Sequence, residues 1–345
     1  NVAKIAESAA EVKTLVSILN QFSQQNLGSQ INLGTLRVET EPKVNYLAPI
    51  YARGITDQLT LAVAVPIVFY ENKLTFNQSA SNVNAICSQF ANLQESFPEL
   101  KEACGKLSRR ITDAAQEEIA QKGYKPVKDR KETVMGDLQL VSLYRFHDNG
   151  STSAMFRTTL TLPTGQKNDP DDLADLGVFG NTSVEPLMLF NYIPWKPLRL
   201  AVKAGYKISI PDRLEMRVPT SDSDMLPSLA SKQLVSRNVG DTITLGTAAN
   251  LAIWNSFSIA GGYEYVAKAS DSYSGGSNYR YDLLSKDSRS TAHKLRAGIT
   301  YDTIALYQRT KNIPPLKLDF EVSNTIAGTN SDRQLVNELS LTMFF

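Results

Sequence analysis

The residues able to do chemistry in this chain are few, and they do not assemble into a catalytic set. His147 and His293 are its only histidines; the first reads as part of a turn and the second lies just before a strand, so no Ser/His/Asp constellation is indicated. Asp169, Asp171, Asp172 and Asp175 crowd one segment but lack the Asp-x-Asp-x-Asp-Gly spacing and closing Glu of a calcium loop. They read as a solvated acidic loop first, and as a surface calcium or lipopolysaccharide-bridging site second. Cys87 and Cys104 are the only cysteines, with no further ligand beside them to complete a metal set. One local disulfide in an oxidising compartment is the expectation. No metal, no cofactor and no enzymatic activity is expected.

Charge narrows the field further. Thirty-six basic residues against thirty-five acidic ones leave a net charge of +1, which offers no field to attract nucleic acid. The longest uninterrupted apolar stretch, Leu61 to Tyr70, is about half of the ~20 residues a spanning helix needs, so a helical membrane protein is excluded. The chain begins at Asn1 with no charged-then-apolar signal segment, which fits processing with removal of an export signal.

The elements that must position the remaining polar residues are strands. From Gly136 to Phe345 the hydropathy alternates with period two. In Leu198–Ile210, residues Leu198, Leu200, Val202, Ala204, Tyr206, Ile208 and Ile210 alternate with Arg199, Ala201, Lys203, Gly205, Lys207 and Ser209. A one-residue slip would place three cations on the apolar face. The same alternation recurs in Leu59–Phe69, Phe257–Tyr265, Lys294–Tyr301 and Leu316–Val322, in runs matching the 9–11 residues of a tilted bilayer-crossing strand.

Connections alternate between tight (Thr56-Asp57, His147–Thr152, Pro194–Pro197, Asn255-Ser256, Asn312–Pro315) and long (Gln78–Met135, Gln166–Thr182, Pro211–Gly240, Ser272–Ser290), as when one rim faces the periplasm and the other faces outward. The last strand, Leu335–Phe345, alternates and ends on Phe345, an aromatic of the kind that serves as an insertion signal. Lys43–Gly54 reads as a descending strand and Gln30–Thr40 as its rising partner. The fold expected is all-β: a transmembrane antiparallel barrel of about twelve strands over 29–345, with the lipid bilayer and lipopolysaccharide as its surroundings.

Two segments depart from the strand pattern. Val2, Ile5, Ala9, Val12, Val16, Leu19 and Phe22 recur at helical spacing within residues 1–28, and Gly28 is a plausible stop. Asn82–Gly123, inside the insertion 78–135, also reads helical, and the two cysteines would staple it. Threading the strands puts Arg145, Arg157, Glu185, Arg199, Lys203, Lys207, Glu264, Lys294, Arg296, Asp319, Glu321 and Glu338 on the face away from lipid. Pairing of these charges across strands is the simpler expectation than a dedicated ion path. Val68, Val141, Leu143, Leu187, Leu189 and Val266 are apolar positions on that same face, which suits a lumen packed by a helix or lined for a greasy ligand. Tyr46, Tyr51, Tyr144, Phe146, Tyr192, Trp195, Trp254, Phe257, Tyr301 and Tyr307 gather near the tight turns, as aromatic girdles do.

Three stretches carry a family resemblance. Tyr51–Val68 (YARGITDQLTLAVAVPIV), Gly136–Phe146 (GDLQLVSLYRF) and Thr159–Gly165 (TLTLPTG) resemble segments of the outer-membrane family linked to the meta-pathway of phenol degradation. Members of that family are barrels thought to resemble long-chain fatty-acid transporters, whose lumen is plugged by an amino-terminal segment. The resemblance implies passive uptake of a small hydrophobic or amphipathic molecule, with Ile5, Val12, Val16, Leu19 and Phe22 of the amino-terminal helix gating the lumen. The alternative is a structural barrel whose amino-terminal helix docks a periplasmic protein partner.

Overall fold

The computed structural model describes residues 35–79, 81–89, 116–175, 180–224, 226–276 and 278–344, together with Ser17 and Pro98. The expected amino-terminal helix with Ile5, Val12, Val16, Leu19 and Phe22 lies outside the described residues, as do Cys104, the terminal Phe345 and most of the helical insertion. The chain divides into two compact units, Asn1–Asn45 with Phe69–Thr133 and Asp171–Asp175, and Tyr46–Val68 with Val134–Pro170 and Leu176–Phe345.

The larger unit is built on an 11-stranded sheet. Its strands are β2 (Ile50–Gly54), β3 (Leu59–Ala64), β6 (Leu138–Asp148), β7 (Thr152–Leu162), β8 (Ser183–Trp195), β9 (Leu198–Ser209), β12 (Thr242–Trp254), β13 (Phe257–Lys268), β15 (Ser290–Asp302), β16 (Leu316–Thr329) and β17 (Leu335–Met343). Every neighbouring pair is antiparallel and follows chain order, skipping only the strands of the other two sheets. From β8 to β16 the strands are 12–14 residues long, past the 9–11 a tilted strand needs to cross a bilayer.

The alternating sequence forms strands because one face can then be wholly apolar. That face is open: Leu200, Val202, Tyr206, Ile208, Ile243, Leu245, Leu251, Ile259, Ile299, Phe320 and Leu339 are all exposed, with Val202 at 51% and Leu339 at 70%. A water-soluble protein rarely exposes a contiguous apolar patch beyond a few hundred Å². Here the apolar face runs across every strand from β9 to β17, so hydrocarbon is the solvent it suits. At one end of that belt Tyr144, Tyr192, Trp195, Trp254 and Tyr301 are exposed, and Trp254 meets Phe257 edge-on at 6.0 Å.

A second sheet joins β10 (Asp212–Arg217), β11 (Lys232–Asn238) and β14 (Ser272–Ser274). The sequence suggests simple loops at 211–240 and 272–290; the chain instead pairs Asp212–Arg217 with Lys232–Arg237 residue for residue. Val235 on β11 and Val218 just after β10 are fully buried, and Arg237 clamps Asp212 with Nε and Nη2 at 2.9 and 2.6 Å. Asp137, itself buried, ties two further connections to the start of β6 by accepting from Gly165 N at 2.8 Å and Gly180 N at 2.9 Å. Gly180 adopts φ +86°, a conformation glycine takes at no steric cost.

The smaller unit carries a three-stranded sheet in the order β1 (Thr35–Leu47), β4 (Ile67–Ser79) and β5 (Arg130–Met135). Three expectations fail, two near this sheet and one before β16. Gln30–Thr40 and Lys43–Gly54 do not form a pair, because Thr35–Leu47 runs through Glu41 and Pro42 as one strand. β1 lies at a sheet edge, where a proline's missing N–H breaks no ladder bond. The continuous strand Leu59–Phe69 is interrupted at Val65 and Pro66, then resumes as β4 well beyond Phe69. Breaks fall at matching levels: Val65 N donates to Pro49 O at 3.3 Å and Gly136 N to Pro66 O at 2.8 Å. The Asn312–Pro315 turn is also longer than expected, since a helix, Ile304–Thr310, intervenes and ends on Lys311 in the left-handed region. Of the helical insertion, Val83–Gln89 is described and helical, with Cys87 buried on it.

Candidate functional site: the polar face of the large sheet

Register fixes which side chains share the face opposite the apolar belt. Across one level of the sheet Lys203 pairs with Gly246, Gly246 with Glu264, and Glu264 with Lys294. At the next level Ala201, Ala248, Gly262, Arg296 and Ser323 line up in the same way. The remaining registers put Arg145, Arg157, Glu185, Arg199, Lys207, Asp319, Glu321 and Glu338 on this face too.

The charges are not independent. Glu264 is the centre of a network, its side chain only 6% exposed. Arg296 Nη2 donates to both its oxygens at 2.9 and 3.0 Å, and Nη1 of the same guanidinium reaches Glu321 at 2.8 Å. Lys203 Nζ bonds Glu264 from the opposite side. A carboxylate removed from water is tolerable only when paired and hydrogen-bonded, and the planar fork of arginine is suited to engage both oxygens.

Gly246 makes the lysine's path possible. It lies between Lys203 and Glu264 in the register, and a Cβ there would sit 2.7 Å from Lys203 Cε and 3.0 Å from its Cγ. The lysine stem therefore lies flat over bare backbone. Other pairs flank the network. Arg157 reaches Glu185 at 3.0 Å, and Arg145 reaches Asp148 at 2.8 Å and the Asp57 carbonyl at 3.0 Å. Asp319 accepts from Lys317 at 2.8 Å and from Thr300 Oγ1 at 2.6 Å. Tyr46 Oη donates to Glu338 at 3.2 Å. That tyrosine is thus engaged with the charged face, where the sequence suggests a place in the aromatic girdle.

Small residues leave room beside the network. Ala201, Gly246, Ala248, Ala260 and Gly262 floor a cavity of about 250 Å³, ringed by Lys203, Glu264, Arg296 and Glu321 and closed on one side by Leu189. Leu187 is buried over Gly205, whose Cβ would fall 3.1 Å from its Cδ1. Of the apolar positions expected on this face, Leu187 and Leu189 occupy β8, beside β9 and its cations, and Val141 and Leu143 occupy β6, two strands further on.

The sequence places Tyr46 in the girdle rather than at the charged face, and it does not single out Thr300, Lys317 or the glycine and alanine floor. Lys317 alternates with Asp319 and was legible in principle. The floor was not, because small residues carry no signal until register aligns them.

Elsewhere, His147 bonds Thr152 Oγ1 at 2.8 Å within its turn, and His293 accepts or donates to the Tyr263 hydroxyl and packs against Tyr265 at 5.0 Å. In the smaller unit Asp172 is paired with Arg130 at 2.7 Å; burial lowers that guanidinium's pKa, but the Glu132 and Asp172 carboxylates beside it outweigh the burial and hold it above its ordinary value. Among the described residues no group of three or more His, Cys, Asp or Glu is placed to hold a metal.

No family model matches the chain, and no curated protein matches it. Solved structures do resemble it. The COG4313 outer membrane channel from Pseudomonas putida F1 superposes with a TM-score of 0.51 at 13% identity, over 88% of this chain and 83% of that one. The CymD monoaromatic hydrocarbon channel gives 0.37 at 10% identity, over 89% and 74%, and the NanC porin gives 0.34 at 8%, over 87% and 99%. The first likeness shows that this chain shares the fold of that outer membrane channel.

Proposed function

We propose that the chain is a passive outer-membrane channel for small amphipathic molecules, with the charged face of the large sheet as its lumen wall. The observation that carries the reading is the segregation of the two faces. An uninterrupted apolar belt suits lipid, while the other face holds paired charges around a 250 Å³ space with a small-residue floor. Closure of the sheet is supported by Tyr46. It precedes the β2 edge, yet its hydroxyl lies 3.2 Å from Glu338 on β17, the opposite edge. Edges ten strand spacings apart, at about 4.8 Å each, would be separated by roughly 48 Å in a flat sheet.

β2 and β17 run parallel to one another, since ten antiparallel steps separate them. An even-stranded barrel of about twelve therefore needs one more strand between them. In this reading the apolar stripe of Ile5, Val12, Val16, Leu19 and Phe22 gates the lumen. Bilayer and lipopolysaccharide are the surroundings of the belt. Reconstitution into liposomes tests the proposal: swelling in an isotonic solution of a small neutral solute is expected. A chain that inserts, migrates heat-modifiably and admits no solute would refute it.

A further inference from the structure

The charges on the inner face do not cancel, and the remainder is cationic. Among the described residues, Arg145, Arg157, Lys203, Arg296 and Lys317 of the large sheet are each paired with a carboxylate. Lys268 is paired with Asp271. Arg199, Lys207 and Lys294 share that face and have no ion pair. Against them stand Glu338, which accepts from Tyr46, and Asp302, which accepts from Ile304 N where the following helix begins.

Their placement has a pattern. β9 presents Arg199, Lys203 and Lys207 at every fourth residue, which spaces the cations by about 13 Å along the strand at ~3.3 Å per residue. Lys294 stands opposite Glu264 in the ladder without an ion pair to it, while Lys203 and Arg296 hold that carboxylate. The strand next to this row is β8, whose Leu189 stands opposite Lys203 and whose Leu187 stands opposite Gly205. Met155 continues the apolar strip on β7, where it faces Leu189.

We infer that the lumen is anion-selective and conducts amphipathic monocarboxylates, the carboxylate following Arg199, Lys203 and Lys207 while the apolar body follows Met155, Leu187 and Leu189. The inference rests on the channel reading above. Neither feature alone selects such a solute: cations alone favour any small anion, and the leucines alone favour neutral apolar solutes. A row of cations beside a row of leucines favours a molecule carrying one charge on an apolar body.

The test uses the intact chain in planar bilayers under a potassium chloride gradient, then with sodium benzoate replacing chloride on one side. The zero-current potential is expected to show chloride preferred over potassium, and benzoate, despite its larger size, to carry current comparable to chloride. Replacing Arg199, Lys207 and Lys294 by Gln should lower the anion preference by about twofold per charge, for a cation ~5 Å from the ion path at 0.1 M salt. E338Q, by removing a carboxylate, should raise it. Cation preference, or no preference, in the unaltered channel would overturn the inference and leave the channel reading standing. Benzoate excluded while chloride passes would overturn the amphipathic part. A properly inserted chain that passes no ion under any condition would overturn both.

Discussion

Replacing Val202 by Arg and, separately, Lys203 by Gln compares two adjacent residues of β9 whose side chains meet opposite surroundings. Val202 is 51% exposed on the apolar belt and lies near the middle of Leu198–Ser209. An arginine there meets hydrocarbon close to the bilayer midplane, which costs roughly 2–4 kcal/mol in a barrel wall. Lys203 lies on the charged face and bonds Glu264. Its replacement removes one ion pair, but Arg296 still engages both oxygens of Glu264 at 2.9 and 3.0 Å. The carboxylate is not orphaned, so the loss stays near the ~1 kcal/mol ceiling of a partly exposed pair. Urea titration of the refolded barrel in vesicles, with the folded fraction read by heat-modifiable migration, should therefore separate the variants by one to three kcal/mol. Equal losses, or a larger loss for Lys203→Gln, would mean that the two faces are assigned the wrong way round.

Gly246→Val should lift Lys203 off the wall and break its bond to Glu264, seen as a lowered conductance with insertion retained; an unchanged conductance would deny that the lysine's path matters. Removing both partners of Glu264 at once, Lys203→Met with Arg296→Met, should cost about 3–5 kcal/mol in the same urea titration because a buried carboxylate is left unpaired. Deleting Asn1–Gln25 should raise single-channel conductance, and no rise would exclude a gating role for that segment and favour docking of a periplasmic partner. Intact mass under non-reducing conditions should show Cys87 and Cys104 bonded, and a mass two hydrogens heavier would show free thiols.

How much of this was legible in the sequence depended on whether a residue's neighbour in space is fixed by period or by register. The long strands β8, β9, β12, β13, β15 and β16 follow from alternation, since a face of Leu, Ile, Val and Tyr can only lie one way. The same alternation assigned Arg199, Lys203 and Lys207 to one face without any knowledge of their partners. What escaped were features made by two strands together. Gly246 matters only because Lys203 and Glu264 stand on either side of it, and Ala201, Ala248 and Gly262 become a floor only in register. β10, β11 and β14 hid inside segments rich in Pro, Ser and Asp, where composition argues for loops. Thr35–Leu47 is one strand where counting strands back from the carboxy terminus calls for two, Gln30–Thr40 and Lys43–Gly54; its edge position lets it run through Pro42.

The Tyr46–Glu338 bond joins residues 292 positions apart, whereas nearly all other pairing in the large sheet is between strands that follow one another along the chain. Hairpins of that kind set their own register through their turns and can zip in sequence from either end. In the closed barrel proposed above, the seam beside that bond has no turn to set it, and its two sides must find one another after the rest of the sheet has formed, at the entropic expense of closing a long stretch of chain into a ring. Assembly should accordingly show a slow final phase whose rate responds to substitutions at Tyr46 and along β17 and ignores equally destabilising changes in β12 or β13. Until that phase completes, Ile50–Gly54 and Leu335–Met343 remain open edges able to pair with another chain, so the interval before the seam closes is when this protein is most exposed to aggregation.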